Sequence, residues 1–346
     1  MRPVEQMTTR TVTLRAGEAL DQPTRRQIAI TLSSGVALGI LVAVAGVNQF
    51  FDGSAAFIAA IALLMFARAI MTIARGVMAG RRRFTAYGAT MMLEAVGLVG
   101  LGVVFAITDS GSFWFALALG AAPLTLLLVR PYLVRTYPDR APVAVPETTG
   151  LLQLLVVAAA LSQLILAGGP LVVSLIGGSP AQVSVYFMTF TLLRGPITAS
   201  YPLATRFLAA MTTAHSERRS EELHKWAARI AGVGGAAALT AGVIAYAILP
   251  PIIQVLYGSE FRPSALVGGL GGGGAVAALA VLFVTQILIA RGRSRELAIG
   301  WLIAAAAAGG VLAVSGADPL TRVAYAFAIG EITAFAIISL IAYRGN

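Results

Sequence analysis

Long apolar stretches separated by short polar connections run through the whole chain. Ten of them are long enough to cross the hydrocarbon core of a bilayer, which takes about 20 helical residues. Because a segment in lipid must satisfy its backbone hydrogen bonds internally, each stretch is predicted to be an α-helix. The ten predicted spans cover residues 28–50, 55–79, 84–107, 112–134, 149–170, 182–212, 227–249, 263–290, 296–315 and 320–343.

The connections between these stretches alternate in charge. Arginine is concentrated before the first span, after every second span and at the end of the chain. The remaining connections are short and polar or acidic, and only Arg262 and Arg322 fall there. Basic residues accumulate on the cytoplasmic side of membrane proteins. The pattern therefore predicts a multi-pass protein of the cytoplasmic membrane with both termini in the cytoplasm.

A proline-rich polar connection at 135–148 divides the chain. We expect a cytoplasmic N-terminal segment at 1–27 and a first bundle of four spans at 28–134. The connection itself would be a cytoplasmic linker, and a second bundle of six spans would cover 149–343.

Similar motifs recur in the two halves in the same order. Thr8-Thr9-Arg10 resembles Met211-Thr212-Thr213, and the basic turn 79–83 resembles the basic turn 290–295. Such parallel repeats are common in secondary transporters. The spans 149–170 and 182–212 have no counterpart before Ile28. Either the first bundle lacks two helices or the gene begins further upstream, and we favour the second reading.

The composition supports this all-α membrane architecture and excludes several classes of function. The chain is 58% hydrophobic and 12% charged, whereas soluble domains are about 45–50% apolar and about 25% charged. Its net charge of +10 is spread over short connections, which argues against nucleic acid as a partner. The sequence has no cysteine and no catalytic, metal-binding or nucleotide motif, so we expect no enzyme activity, cofactor or metal.

Two ionisable residues interrupt the second and third spans. Arg68 and Glu94 each lie thirteen residues from Arg81. That separation corresponds to roughly 20 Å of helix, near the middle of a bilayer core about 30 Å thick. A charge at this depth costs about 3 kcal/mol or more and normally faces a partner or a wet cavity. The first hypothesis is an Arg68–Glu94 pair inside a helical bundle.

Arg194 and Glu331 lie at a similar predicted depth in the sixth and tenth spans. One interpretation is two buried ion pairs that only set helix register. The other is a cationic cavity for an anionic substrate, in which carboxylates tune the cavity or carry protons. Arg75 and Arg206 lie nearer the inner surface, where they would reach water or a phosphate head group. The glycine-rich run at 268–274 lacks the residues of a phosphate loop and favours close helix packing or a flexible, locally broken helix.

Several motifs resemble polysaccharide flippases of the multidrug/oligosaccharidyl-lipid/polysaccharide exporter superfamily. The longest is R-G-V-M-A-G-R-R-R-F-T-A-Y-G-A-T-M-M-L-E at 75–94. L-L-R-G-P-I, L-Y-G-S-E-F-R-P-S-A and A-R-G-R-S-R-E-L-A-I-G-W are similar to further landmarks in the same order. V-E-Q-M-T-T-R at 4–10 is similar to the end of the family's second helix.

This resemblance implies two six-helix bundles around a central cavity and export of polyprenyl-diphosphate-linked oligosaccharide by alternating access. Arg194 would face the diphosphate, together with Arg68 and Arg75. An ion gradient or the membrane potential would drive transport, through Glu94 or Glu331. Implied partners are the lipid-linked oligosaccharide, membrane lipids, and glycosyltransferases or a polymerase of the same pathway. Alternatives are a drug exporter of the same fold and a truncated, non-transporting scaffold of polysaccharide assembly.

Overall fold

The computed structural model describes residues 2–15, 20, 22–50, 53–108, 113–114 and 150–344, and all regular structure in these ranges is helical. A short 3-10 turn, Ser259–Phe261, follows the longest helix. The α-helices are α1 Arg2–Leu14, α2 Gln22–Phe50, α3 Ala55–Gly80, α4 Phe84–Ile107, α5 Leu151–Ala167, α6 Gly169–Leu175, α7 Pro180–Ala199, α8 Tyr201–Ser216, α9 Ser220–Tyr257, α10 Ala265–Ala290, α11 Ser294–Val314 and α12 Pro319–Arg344.

Nine of the ten predicted spans coincide with these helices. The remaining span, 112–134, lies almost wholly outside the described residues, as does the predicted linker 135–148. Among the described residues, seven single helices are long and apolar enough to cross a membrane. The pair α5 and α6 together forms an eighth candidate, bent by 66°. The chain is therefore an all-α, multi-pass membrane protein.

The chain divides into two compact units, Met1–Leu152 and Gln153–Asn346. In the first unit α3 is the central helix and packs against α1, α2 and α4. The contact with α1 is close because Gly76 and Gly80 have no side chain. A Cβ added at Gly76 would lie 2.6 Å from Thr8 Cβ, and one at Gly80 would lie 2.6 Å from Val12 Cβ.

Helix α1 lies within residues 1–27, which the sequence predicts to be a cytoplasmic segment and where it predicts no span. Arg2–Leu14 is a helix buried against α3. Its thirteen residues include four threonines and two arginines, so a search for long apolar runs misses it. The family resemblance of residues 4–10 to the end of a helix is the signal that pointed to it.

The second unit is arranged around α10 in the same way, with α9, α12, α8 and α7 packed against it. The glycine-rich stretch lies inside this helix. A Cβ at Gly272 would lie 2.3 Å from Ala245 Cβ, and one at Gly274 would lie 2.6 Å from the Phe327 ring. Of the two predicted uses of these glycines, the contacts support close helix packing, and the helix is unbroken.

The turns that follow α3 and α10 share one geometry, which supports the internal repeat. Arg82 and Gly292 both adopt the left-handed region, with φ of 57° and 74°. The next residue in each turn, Arg83 or Arg293, donates its backbone N–H to a helix carbonyl five residues earlier. Burial lowers the pKa of Arg81, the first residue of its turn, and the neighbouring Arg83 lowers it further. In the second turn, burial and the neighbouring Arg293 lower the pKa of Arg291 in the same way.

Contacts within the second unit agree with the predicted alternation of its connections. Gln182 Nε2, in the first turn of α7, donates to Asp318 Oδ1 at 3.2 Å, so the start of α7 meets a connection predicted on the same outer side. Arg291 Nη1 donates to Ala342 O at 2.7 Å, joining a predicted inner turn to the end of α12. Connections expected on one side of the membrane therefore meet at one end of the bundle.

Gly76→Ala tests the α1–α3 contact. The added methyl must displace Thr8 or the Glu5 carbonyl, which would lie 2.9 Å away. The free energy of unfolding should therefore fall by about 1–3 kcal/mol. Gly88→Ala on α4 is the control because nothing lies within 4 Å of its Cβ position. Thermal melting of the purified protein measures both, and equal melting temperatures would contradict the close contact.

Candidate functional site

Three predicted site residues meet inside the first unit. Arg68 and Arg75 lie two turns apart on α3, and both form ion pairs with Glu94 on α4. Arg75 Nη2 lies 2.6 Å from Glu94 Oε2, and Arg68 Nη1 pairs with Oε1 of the same carboxylate. The predicted Arg68–Glu94 pair is confirmed, and Arg75 joins it as a second cation.

Burial distinguishes the two arginines of this cluster. The Arg75 and Glu94 side chains are each 9% exposed, whereas Arg68 is 35% exposed. Arg75 therefore does not extend to the inner surface, as its position in the sequence suggested, but turns inward onto the carboxylate. Two cations and one anion leave one net positive charge in the cluster.

A chain of hydrogen bonds extends from this cluster to α1. Arg75 Nε donates to Thr90 Oγ1 at 3.2 Å, and Thr90 Oγ1 donates to the Tyr87 carbonyl at 2.7 Å. The Tyr87 hydroxyl donates to Glu5 Oε1 at 2.7 Å. Thr90, Tyr87 and Glu5 were not predicted as site residues. For Tyr87 and Thr90 the available signal was their spacing with Glu94, at three and four residues on one face of an apolar helix.

In the second unit, Arg194 lies on α7, two residues before Pro196. Its side chain is half-buried, and no carboxylate of the described chain forms an ion pair with it. Pro196 interrupts the helix hydrogen bonds nearby, and the Ser200 hydroxyl donates to its carbonyl at 2.8 Å. α7 ends at Ala199, so the predicted span 182–212 is two helices joined at Ser200.

Glu331 on α12 is 1% exposed, and within the described residues neither carboxylate oxygen has a hydrogen-bond partner. It therefore forms no pair with Arg194, and the interpretation with two buried ion pairs is wrong for this half. One turn earlier on the same helix, Phe327 packs edge-on against Phe190 of α7, with ring centroids 4.9 Å apart. Glu331 is thus a carboxyl group on a helix that packs in the apolar core of the second unit.

The broken span α5–α6 packs against this core. Gly169 lies under the Tyr186 ring, where a Cβ would be 2.1 Å from Cε1, and Tyr186 stacks on Phe190 at 4.0 Å between centroids. Discontinuous helices often line binding sites in transporters. No group of three or more His, Cys, Asp or Glu residues that could hold a metal occurs within the described ranges.

Comparison with solved structures identifies the fold. An outward-facing multidrug resistance MATE family transporter of the MOP superfamily superposes with a TM-score of 0.67 at 16% identity, covering 99% of this chain and 82% of that one. A mutant MATE crystal structure gives a TM-score of 0.71 at 14% identity, covering 99% and 83%. The chain therefore has the fold of these MATE transporters.

Sequence comparison finds relatives in mycobacteria. Over 331 residues the chain is 28% identical to uncharacterized protein Rv3630 of Mycobacterium tuberculosis, covering 90% of this chain and 74% of that protein. Uncharacterized protein Mb3654 of Mycobacterium bovis gives the same values. No family model matches the chain.

The cluster of three charges predicts how substitutions combine. Glu94→Met leaves Arg68 and Arg75 without their carboxylate, and breaking such a buried pair costs about 3–5 kcal/mol. The double variant with Arg68→Met should remain unstable because Arg75 is still unpaired. The triple variant with Arg75→Met should recover most of the melting temperature, since it leaves no buried charge in the cluster. Full recovery in the double variant would show that Arg75 does not depend on Glu94.

Proposed function

We propose that this protein exports an anionic, lipid-linked substrate by alternating access, and that the substrate is a polyprenyl-diphosphate-linked oligosaccharide. The MATE fold supports the transport part of this proposal, because the solved structures that share it are transporters. The substrate part rests on the charges that the helices hold within their apolar spans and on the resemblance of the motifs at 75–94 and 192–197 to polysaccharide flippases.

Arg194 is the observation that carries the proposal. A cation in the hydrocarbon core costs about 3 kcal/mol or more unless a counter-ion or water compensates it. Among the described carboxylates none pairs with Arg194. The Glu331 carboxyl group, on the neighbouring helix α12, has no hydrogen-bond partner there. A guanidinium binds the oxygens of a phosphate through paired hydrogen bonds. A diphosphate would therefore supply the missing counter-ion.

Arg68 gives the first unit an anion contact of its own. Unlike Arg75, it is one-third exposed, so a ligand can reach it while Glu94 holds it in place. The net positive charge of the cluster favours an anion. Glu94 then acts as a positioning residue, and Arg75 anchors that carboxylate to α3.

Glu331 fits the role of the coupling group. An isolated carboxylate in an apolar core is unstable as an anion, so it takes up a proton or a cation. Loading and unloading of this group would tie the conformation of the second unit to an ion gradient. The chain has no nucleotide-binding motif, and a gradient or the membrane potential is the energy source we propose.

The cytoplasmic membrane, with both termini in the cytoplasm, is the proposed location. Its support is the alternation of basic and acidic connections. Enzymes that build or polymerise the oligosaccharide are the proposed partners, because they produce and consume a lipid-linked substrate on the two sides of the membrane.

Arg194→Ala should lower transport of lipid-linked oligosaccharide about ten-fold or more, since a hydrogen bond between charged groups contributes about 1.5–3 kcal/mol. Arg194→Lys keeps the charge and should retain part of the activity. Arg262→Ala, an exposed arginine beyond α9, is the matched control. The assay is protection of the labelled oligosaccharide in proteoliposomes, together with surface polysaccharide in cells.

The same variants separate the proposal from the alternative of a drug exporter, which the MATE neighbours support equally well. Normal oligosaccharide transfer by Arg194→Ala, combined with lost efflux of cationic dyes by that variant, would favour the drug exporter. Absence of both activities in the parent protein would favour a non-transporting scaffold.

Glu331→Gln should abolish the response of transport to an imposed proton or sodium gradient, because an amide cannot be loaded with either ion. The protein should remain folded, since the amide preserves the shape of the carboxyl. Transport rates with and without the gradient give the measurement, with Glu260→Gln in the exposed 3-10 turn as control. An unchanged gradient response in Glu331→Gln would remove this residue from the coupling mechanism.

A further inference from the structure

A long apolar groove lies wholly within the second unit, between α9 and α12, with α10 as its floor. Its volume is about 820 Å³, and its walls include Ala228, Ala231, Leu239, Phe335 and Leu340. This volume is in the range of sites that bury a drug-sized ligand, about 300–1,000 Å³. The proposed transport mechanism uses none of these residues.

Glycines create the groove. Gly242 of α9 and Gly269 and Gly273 of α10 line it, and the two helices approach so closely there that a Cβ at Gly273 would lie 3.3 Å from the Ala238 carbonyl. The middle of the floor is therefore glycine backbone, with Leu266 and Leu270 at one end of it, and the walls of α9 and α12 rise on either side. A narrow, extended apolar chain fits this shape better than a wide ring system.

The polar groups of the groove lie mostly at one end. Tyr343 and Ser339, one turn apart on α12, line that end, and the His224 ring lies 6.4 Å from the Tyr343 ring between centroids. The Ser339 side chain is 7% exposed, and its hydroxyl has no hydrogen-bond partner among the described residues. This buried hydroxyl, on a residue that lines the groove, is a donor without an acceptor, and a ligand carbonyl that reached it would satisfy it.

Basic residues flank the same end. Lys225 and Arg229 follow His224 on α9, and Arg344 follows Tyr343 on α12. Lys225 is paired with Glu221, whereas no described carboxylate forms an ion pair with Arg229. None of the residues that line the groove is charged, so these basic residues lie beyond its rim; the opposite end is lined by Tyr246 and Leu266. The charge at the first end is complementary to an anionic head group.

The length of the groove indicates which kind of ligand it can hold. From Ser339 to Ala328 it follows eleven residues of α12, or roughly 16 Å, which is about half of a bilayer core about 30 Å thick. One acyl chain of one leaflet has this reach. We propose that the groove binds an anionic phospholipid of the leaflet at its basic end. The head group contacts the basic residues, an ester carbonyl accepts from Ser339, and one acyl chain fills the groove.

Photo-crosslinking tests this assignment. The full-length protein is placed in phosphatidylcholine nanodiscs containing a trace of phosphatidylglycerol with a diazirine on its acyl chain, and labelled peptides are identified by mass spectrometry. We expect labelling on the groove walls of α9 and α12, stronger than with the matching phosphatidylcholine probe by roughly five-fold for each basic contact. Equal labelling by the two probes would overturn the anionic specificity.

Variants then locate the lipid. Ala231→Phe fills the groove and should remove most of the labelling, while Val233→Phe adds the same ring to an exposed face of α9 and should not. Leu340→Trp gives a second obstruction if Ala231→Phe does not fold. Lys225→Gln combined with Arg344→Gln should abolish the preference for phosphatidylglycerol, whereas Arg262→Gln should leave it intact. Ser339→Ala should weaken labelling by both probes.

Two other occupants would give different results. If polyprenyl phosphate displaces the phosphatidylglycerol probe but added phosphatidylglycerol does not, the groove holds the carrier lipid and the phospholipid assignment is overturned. If neither probe labels the groove and the protein is a dimer in nanodiscs, a second copy covers this face. Neither result depends on whether Arg194 takes part in transport.

Discussion

A charged group in a lipid core has almost no water to solvate it, and this constraint governs the structure. In the first unit the Glu94 carboxylate meets it by pairing with the guanidinium groups of both Arg68 and Arg75. A single carboxylate thus stabilises two cations, and the hydrogen bonds through Thr90 and Tyr87 carry the same network to Glu5 on α1. Three helices of the unit are thereby held in one register, and the apolar packing around them depends on that register.

The second unit meets the same constraint less completely. Arg194 and Glu331 lie on helices that pack together through Phe190 and Phe327, yet the two charges do not pair. Charged groups kept apart in an apolar environment remain available to other ions. The two units thus differ: the first holds its buried charges in a paired cluster, and the second leaves Arg194 and Glu331 without ion pairs among the described residues.

Close helix contact is the second feature that the two units share. In each unit one central helix, α3 or α10, uses glycine to bring a neighbour within backbone distance. Each central helix ends in a left-handed turn, at Arg82 in one case and at Gly292 in the other. The two halves therefore share the left-handed backbone of this turn, although the residue that adopts it is arginine in one half and glycine in the other. In α10 the glycines have the additional effect of opening the groove along α9 and α12.

The sequence by itself determined the helical class and the positions of the nine predicted spans that are helical within the described residues, and it proposed the candidate charges. These follow from hydropathy and helical rise, which are local properties. Helix rotation and helix approach decided which of these charges pair. They brought Arg68 and Arg75 onto Glu94, and they left Arg194 apart from Glu331. Rotation and approach are set by packing between distant segments, through contacts such as Gly76 against Thr8. The short helix α1 shows the same limit, because its burial comes from α3 and not from its own polarity.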